Sequence, residues 1–127
     1  MNKLTYLSGP IDNCSNEEKN DWRTYVKSQG IEYIDPMDTV RKYNLTIDDV
    51  EFIVQQDKKD IDSCGLILVN PWKISAGTMM EIMYAYMMDK YIITVHSDIK
   101  SLSPWIKYHS NKIFKTVPEA VNYIKII

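Results

Sequence analysis

The chain has 127 residues with a net charge of −2, of which 45% are apolar and 25% charged, so we predict one globular domain over residues 1–127. No basic block is present, which argues against a nucleic-acid partner. Two cysteines without metal-binding or disulfide-framework spacing, and the absence of a signal-peptide pattern, favour a reducing, cytoplasmic location.

The first half of the chain predicts two strands, a helix and a loop. We expect a strand over 4–8, a helix over 15–29, a strand over 31–34 and a polar loop over 37–44. The helix begins at Ser15, because Glu18 completes a capping box, and it ends before Gly30. The second strand ends at the pair Asp35-Pro36, which we interpret as a turn.

A second helix is predicted from Thr46, with Asp49 in the capping-box position. Its apolar residues share one helical face, namely Ile47, Val50, Val54, Ile61 and Cys64. Asp57 interrupts this face. A carboxylate on a stripe that is otherwise expected to pack into the core is the anomaly of this helix.

The stretch from Val69 to Asp89 contains the most unusual residue of the chain. A continuous apolar run over 66–69 predicts a buried strand, and a helix rich in methionine and tyrosine follows it. This helix is apolar on nearly every face, so we expect it to be buried on most sides. It is too short to cross a membrane and contains a charge. That charge, Glu81, would cost several kcal/mol in such surroundings unless the protein uses it.

The second half continues the alternation of strands and helices. We predict a strand over 91–95, a short helical turn starting at Ser103, a strand over 112–114 and a C-terminal helix from Thr116. The alternation predicts an α/β fold, a three-layer Rossmann-like (flavodoxin-like) open parallel sheet of about five strands in the order 2-1-3-4-5. Ligands then bind beyond the carboxyl ends of strands one and three, which carry Ser8-Gly9-Pro10 and the segment 70–75.

Two carboxylates near this switch point suggest transfer of a sugar. A poorly hydrated Glu81 is a good nucleophile, and Asp57 could assist a leaving group. Ser75 and Gly77 could hold an anion, and Tyr6 could orient the nucleophile. The alternatives are that Glu81 belongs to a structural network, that Asp57 faces water, and that Ser75 is only a helix cap.

The histidines and tryptophans have simpler interpretations. His96 and His109 have no ligand-like spacing, so we expect both at the surface or in loops. Trp22, Trp72 and Trp105 are candidates for stacking on a base.

Four segments together resemble the nucleoside 2-deoxyribosyltransferase superfamily: YLSGPI, QQDKKDIDSC, LILVNPW and SAGTMMEIMYA. The resemblance implies cleavage of N-glycosidic bonds through a covalent deoxyribosyl–glutamate intermediate. By the same resemblance, Glu81 is the nucleophile, Tyr6 holds it, and Asp57 lies near the leaving base. It further implies a homo-oligomer in which the segment 101–105 completes the active site of a neighbouring subunit. No metal or organic cofactor is expected, since a side chain is the attacking group.

The superfamily includes a branch of 2'-deoxynucleoside 5'-monophosphate N-glycosidases, which use water as acceptor. Ser75 lies six residues before Glu81, as in that branch, and Ser103 resembles its second serine, which favours a 5'-monophosphate. Pro10 and Asp12 depart from its first-loop pattern. A base-exchanging transferase and a non-catalytic nucleotide-binding module therefore stay as alternatives. The expected substrate-binding residues are Ser8, Gly9, Pro10, Ile11, Asn70, Trp72, Ser75, Gly77 and Ser103.

Overall fold

Five short strands form one all-parallel sheet in a computed structural model that describes residues 1–127. The strands are β1 (Thr5–Ser8), β2 (Tyr33–Ile34), β3 (Leu66–Val69), β4 (Tyr91–Val95) and β5 (Lys112–Phe114). Their order is β2-β1-β3-β4-β5, which confirms the predicted topology. β1 lies between β2 and β3, and the β1–β3 register runs from Thr5 opposite Leu66 to Ser8 opposite Val69.

Six helices cover the two faces of the sheet. They are α1 (Asn16–Lys27), α2 (Pro36–Tyr43), α3 (Val50–Ser63), α4 (Ala76–Met87), α5 (Pro104–His109) and α6 (Val117–Ile126). Alternate residues of β1 face opposite sides. Tyr6 packs with Ile61 of α3 and Ile82 of α4, whereas Leu7 packs with Val26 of α1 and Val121 of α6. The sheet therefore separates two buried cores, and Tyr6 faces the one that contains α4.

The predicted polar loop over 37–44 is wrong, because α2 occupies residues 36–43. The Asp35 side chain accepts a hydrogen bond from the backbone N–H of Met37, and Pro36 occupies the first helical turn. The helix ends at Asn44 in the left-handed conformation, with φ 51°. The pair Asp35-Pro36 is thus a helix start rather than a plain turn.

The helix predicted from Thr46 begins later, at Val50. Thr46 and Asp49 form a turn in which the Thr46 N–H donates to Asp49 Oδ2 at 2.8 Å. The predicted apolar face is also only partly a core face: Ile61 is buried, whereas Val50 of α3 and Ile47, which precedes the helix, are exposed. The first turn of α3 borders a cavity instead of the core.

Helix α4 is less buried than its composition predicts. Only Thr78, Ile82 and Ala85 are buried, while Met80 and Met87 are 72% and 73% exposed. One face of α4 packs on the sheet between α3 and α5, and the opposite apolar face has no partner within a single chain. No helix in the protein combines the length and the apolar character needed to cross a membrane.

Candidate active site

Glu81 is held by two hydroxyl groups from β1. The hydroxyl of Tyr6 donates to Glu81 Oε2 at 2.5 Å, and that of Ser8 donates to Glu81 Oε1 at 2.7 Å. Tyr6 and Ser8 are two residues apart on a strand, so their side chains lie on the same face of the sheet. The first turns of α4 bring Glu81 to that face. Both carboxylate oxygens are therefore fixed, and no ion pair involves Glu81.

Asp57 of α3 and Glu81 of α4 line one cavity of about 350 Å³. It opens at the carboxyl ends of β1 and β3, the place that the parallel topology predicts for a ligand. Its size is that of a small-molecule site. The structure thus brings together the two carboxylates that stood out in the sequence.

The two carboxyl groups differ in their hydrogen bonds, and this difference decides where a proton is held. Burial raises the pKa of Glu81 above its usual value, while the bonds from Tyr6 and Ser8 lower it. Burial, and next the charge of Glu81, raise the pKa of Asp57 to about 7. Because only Glu81 accepts two hydroxyl donors, we assign the ionised form to Glu81 and the proton to Asp57.

Tyr6 remains a hydrogen-bond donor across the physiological pH range. Burial, followed by the nearby charge of Glu81, raises the pKa of the Tyr6 hydroxyl well above its usual value. The phenol is therefore protonated and donates to Glu81 rather than competing with it for negative charge.

Four of the nine residues expected to bind substrate line this cavity, and a fifth, Ser8, donates a hydrogen bond to Glu81 instead. Gly9, Ile11, Ser75 and Gly77 line the cavity. A Cβ at Gly9 would lie 2.9 Å from the ring of Trp22, so the close approach of the first loop to α1 requires glycine. Pro10 and Asn70 do not line the cavity. The Asn70 N–H donates to the carbonyl of Ser8 at 2.9 Å and so ties the ends of β1 and β3 together.

Trp72 and Ser103 lie at a different cavity, of about 600 Å³, between α4 and α5. Ser103 caps α5 by accepting a hydrogen bond from the Trp105 N–H, and a single chain does not bring it to Glu81. His96 lines this second cavity. His109 lines it too and is buried, and one of its ring nitrogens lies 2.6 Å from the Trp105 carbonyl oxygen. The expectation that His109 lies at the surface or in a loop is therefore wrong, because it is buried at the end of α5.

One wall of the Glu81 cavity was not anticipated from the sequence. This wall consists of aliphatic side chains from α2, α3 and the segment between them: Val40, Leu45, Ile47, Val50, Ile53 and Val54. The sequence does not reveal it, because the pattern predicts a loop in place of α2 and a core face for the apolar stripe of α3. Asp12, Thr46 and Thr78 complete the lining. None of the three tryptophans lines this cavity, and Trp22 packs beneath the first loop.

The cavity contains no cationic side chain. Its charged residues are Asp12, Asp57 and Glu81, all acidic. No group of three or more histidine, cysteine, aspartate or glutamate side chains is arranged to hold a metal ion. The carboxyl groups of Glu81 and Asp57 can supply nucleophilic and acid–base chemistry.

Residues 5–120 match the family model described as Nucleoside 2-deoxyribosyltransferase. No curated protein matches the chain in sequence. A solved 2-deoxyribosyltransferase from the psychrotolerant bacterium Bacillus psychrosaccharolyticus has a TM-score of 0.75 at 15% identity, over 94% of this chain and 91% of its own. A conserved protein from Enterococcus faecalis V583 has a TM-score of 0.70 at 15% identity, over 96% of both chains. The Clostridium botulinum CMP N-glycosidase BcmB has a TM-score of 0.62 at 20% identity, over 97% of this chain and 99% of its own.

Proposed function

Since the chain belongs to the nucleoside 2-deoxyribosyltransferase family, a family of enzymes that act on N-glycosidic bonds, we propose that it cleaves the N-glycosidic bond of a 2'-deoxynucleoside or its 5'-monophosphate. The reaction would proceed through a covalent deoxyribosyl–Glu81 intermediate. The observation that carries this proposal is the placement of Glu81, a carboxylate with both oxygens held by hydroxyls, in the lining of a cavity that also contains Asp57.

In the first step, a Glu81 oxygen forms a bond to C1' of the sugar while the bond from C1' to the base nitrogen breaks. The electron pair of the broken bond leaves with the base, which needs a proton. Asp57 supplies it, because a carboxyl group whose pKa is about 7 is about half protonated at neutral pH and largely protonated below it. Tyr6 and Ser8 orient the attacking carboxylate and must weaken their bonds to it as its charge is consumed.

In the second step, an acceptor attacks C1' and the bond to Glu81 breaks, which restores the carboxylate. When the acceptor is water, the now ionised Asp57 takes its proton, so that each carboxyl group returns to its starting state. This pairing is that of a retaining glycosidase, in which one carboxyl group is the nucleophile and the other alternates between acid and base.

The hydrolase form with a 5'-monophosphate depends on Ser75 and Ser103. Ser75 precedes α4, where free backbone N–H groups favour an anion, and its hydroxyl makes no capping bond. Ser103 would have to come from a second copy of the chain, because in its own chain it lies at the cavity on the other side of α4. Exposed apolar residues on α4 and α5 support such a homo-oligomer, namely Met80, Met87, Trp105 and Tyr108.

The charge of the cavity favours a second candidate, a base-exchanging transferase that acts on uncharged nucleosides. Three acidic residues and no lysine or arginine line the cavity, so a phosphate dianion would be repelled within a single chain. The aliphatic wall from α2 and α3 suits the faces of a free base. Both candidates share the first step and differ in substrate charge and acceptor.

A substrate panel separates these possibilities. Deoxynucleosides and deoxynucleoside 5'-monophosphates are incubated with the protein, with and without a second free base, and products are resolved by chromatography. Release of base from monophosphates alone supports the hydrolase, and exchange of bases on nucleosides supports the transferase. Binding without turnover of any substrate contradicts both and indicates a nucleotide-binding module. Glu81→Ala should be inactive, whereas the exposed control Glu51→Ala should match the wild type.

A further inference from the structure

The carboxyl end of β1 has an unpaired edge where it carries Ser8. On the side of β2, pairing ends at Tyr6 opposite Ile34, because the chain turns into α2 immediately afterwards. The carbonyls of Leu7 and Gly9 point to this same edge, since carbonyls two residues apart in a strand share a direction. A longer β2 would supply backbone N–H donors to these two carbonyls.

The guanidinium group of Arg23 supplies these donors instead. Arg23 Nη1 donates to the Leu7 carbonyl at 2.8 Å, and Nη2 donates to the Gly9 carbonyl at 3.1 Å. Arg23 is 1% exposed. Its guanidinium therefore spans Ser8 and binds the carbonyls on either side of it.

The guanidinium is itself fixed by the residues around it. Arg23 Nη1 also donates to Asp35 Oδ1 at 2.8 Å, and Nε donates to the Lys19 carbonyl at 2.8 Å. Asp35 directly follows β2 and pairs in addition with Lys27 at 2.8 Å. Asp35, the residue that follows the short strand β2, therefore holds the Arg23 guanidinium in place.

Ser8 is in consequence fixed from both edges of β1. Its own carbonyl accepts a hydrogen bond from the Asn70 N–H on the β3 side, and Arg23 holds the carbonyls of its two neighbours on the other side. The Ser8 hydroxyl in turn donates to Glu81 Oε1 at 2.7 Å. A chain of direct contacts therefore connects Arg23 to the nucleophile through the backbone of β1.

We propose that Arg23 is a positioning residue for the glycosidic reaction, which fixes Ser8 and through it the attacking carboxylate of Glu81. This inference rests on the proposed role of Glu81. The positive charge of Arg23 acts in the same direction, because it lowers the pKa of Glu81 and so favours the ionised nucleophile. Arg23 contacts neither the cavity nor the reacting atoms.

The test is a double-mutant cycle of Arg23→Lys with Ser8→Ala, measured as kcat and KM for base release. A lysine keeps the charge but cannot bind two carbonyls and Asp35 together. We expect Arg23→Lys to lower kcat about tenfold with little change in KM. Because a misplaced Ser8 donates a weaker hydrogen bond to Glu81, the acidic limb of the pH profile should also move to higher pH, although the charge is retained. In the Ser8→Ala background the same substitution should lower kcat by less than about threefold, because the connection through Ser8 is already absent.

Arg41→Lys is the matched control, since Arg41 is an exposed arginine of α2 that is likewise paired with an aspartate, Asp38, at 2.9 Å. Its kcat should equal that of the wild type. A folded Arg23→Lys protein with wild-type kcat, or with the same loss in both backgrounds, would overturn the proposal.

A second variant covers the case in which Arg23→Lys does not fold. Asp35→Asn retains an acceptor for Arg23 but weakens its hold on the guanidinium, and it should lower kcat in a manner that again depends on Ser8. An Asp35→Asn protein with an unchanged kcat would contradict the positioning role. The proposed function fails separately: it fails if the wild type releases no base or if Glu81→Ala remains active, and either result removes the basis of this inference as well.

Discussion

Glu81 has a pair of neutral donors where a structural carboxylate usually has a cation. Tyr6 and Ser8 satisfy its two oxygens without neutralising its charge. An ion pair would stabilise the ground state strongly and make the carboxylate a weaker nucleophile. Hydroxyl donors fix its orientation at a smaller energetic cost to the reaction, which is the arrangement that an attacking group requires.

Replacement of Tyr6 by phenylalanine tests this arrangement directly. Tyr6→Phe removes one donor to Glu81 while retaining the ring in the core, where Tyr6 is fully buried. The pKa of Glu81 should rise further, so the acidic limb of the pH profile moves to higher pH, and kcat should fall about tenfold or more. Tyr25→Phe is a control, because Tyr25 lies on α1 on the opposite face of the sheet. An unchanged profile for Tyr6→Phe would contradict a role for this hydrogen bond.

In the proposed reaction, we expect Asp57 to set the alkaline limit. Because its pKa is raised to about 7, the proton it donates is present below that pH and is lost as the pH rises through it. Activity should therefore decline above pH of about 7, and Asp57→Asn should lower kcat on the order of 100-fold and abolish the decline. The measurement is kcat against pH for both proteins. An alkaline limb that persists in Asp57→Asn would assign it to another group.

The same carboxyl group lowers the stability of the fold at neutral pH. Its pKa is higher in the folded protein than its usual 3.8, so the folded state binds the proton more tightly than the unfolded state does. The contribution of this bound proton to the free energy of unfolding is thus fully present below about pH 4 and is lost as the pH rises through about 7. Asp57→Asn should raise the Tm by about a few degrees at pH 8 and very little at pH 4. An equal Tm difference at the two pH values would contradict the raised pKa.

Helix α4 presents two different faces. Its first turns carry Ser75, Gly77 and Glu81 to the cavity, and its outer face exposes Met80 and Met87. The amino-acid sequence predicts an apolar helix but does not distinguish a helix buried in its own core from one that leaves an apolar face exposed. Both situations require the same composition, and only the packing of α3 and α5 around α4 reveals the difference.

The exposed apolar face of α4 predicts that the protein forms a homo-oligomer. Met80→Glu with Met87→Glu places charges on this face and should convert an oligomer to a monomer in sedimentation experiments. If a partner supplies Ser103, the same change should raise KM for a 5'-monophosphate. Ile126→Glu, which alters an exposed apolar residue of α6, is the control and should leave the mass unchanged. A wild type that sediments as a monomer would contradict the homo-oligomer.

Helices α2 and α3 show where sequence patterns failed and why. Asp35-Pro36 starts a helix, although the same pair also begins turns, and the two uses differ only in whether the residues after the proline continue the helix. The apolar stripe on α3 indicated burial against the core, but Ile47, Val50 and Val54 border the cavity. A side chain that is to contact a ligand has the same apolar character as one that packs in a core, so periodicity alone could not separate them.

The architecture of the whole molecule was predictable because it is a consequence of connectivity. Alternating strands and helices with right-handed crossovers permit few sheet orders, and the order found is the predicted one. The same topology places the ends of β1 and β3 together, so the joint location of Tyr6, Ser8 and Glu81 could be anticipated. The hydrogen bonds from Arg23 to the backbone of β1 could not be anticipated, because they depend on the exact residue at which β2 ends.

The most direct measurement of the central proposal is the capture of the covalent intermediate. The protein is mixed with a deoxynucleoside or deoxynucleoside monophosphate that it turns over, quenched in acid within the first turnovers, digested and analysed by mass spectrometry. We expect a deoxyribosyl adduct on the peptide that contains Glu81, and no adduct and no base release in Glu81→Ala. Base release by the wild type without any adduct on Glu81, or base release by Glu81→Ala, would contradict the account.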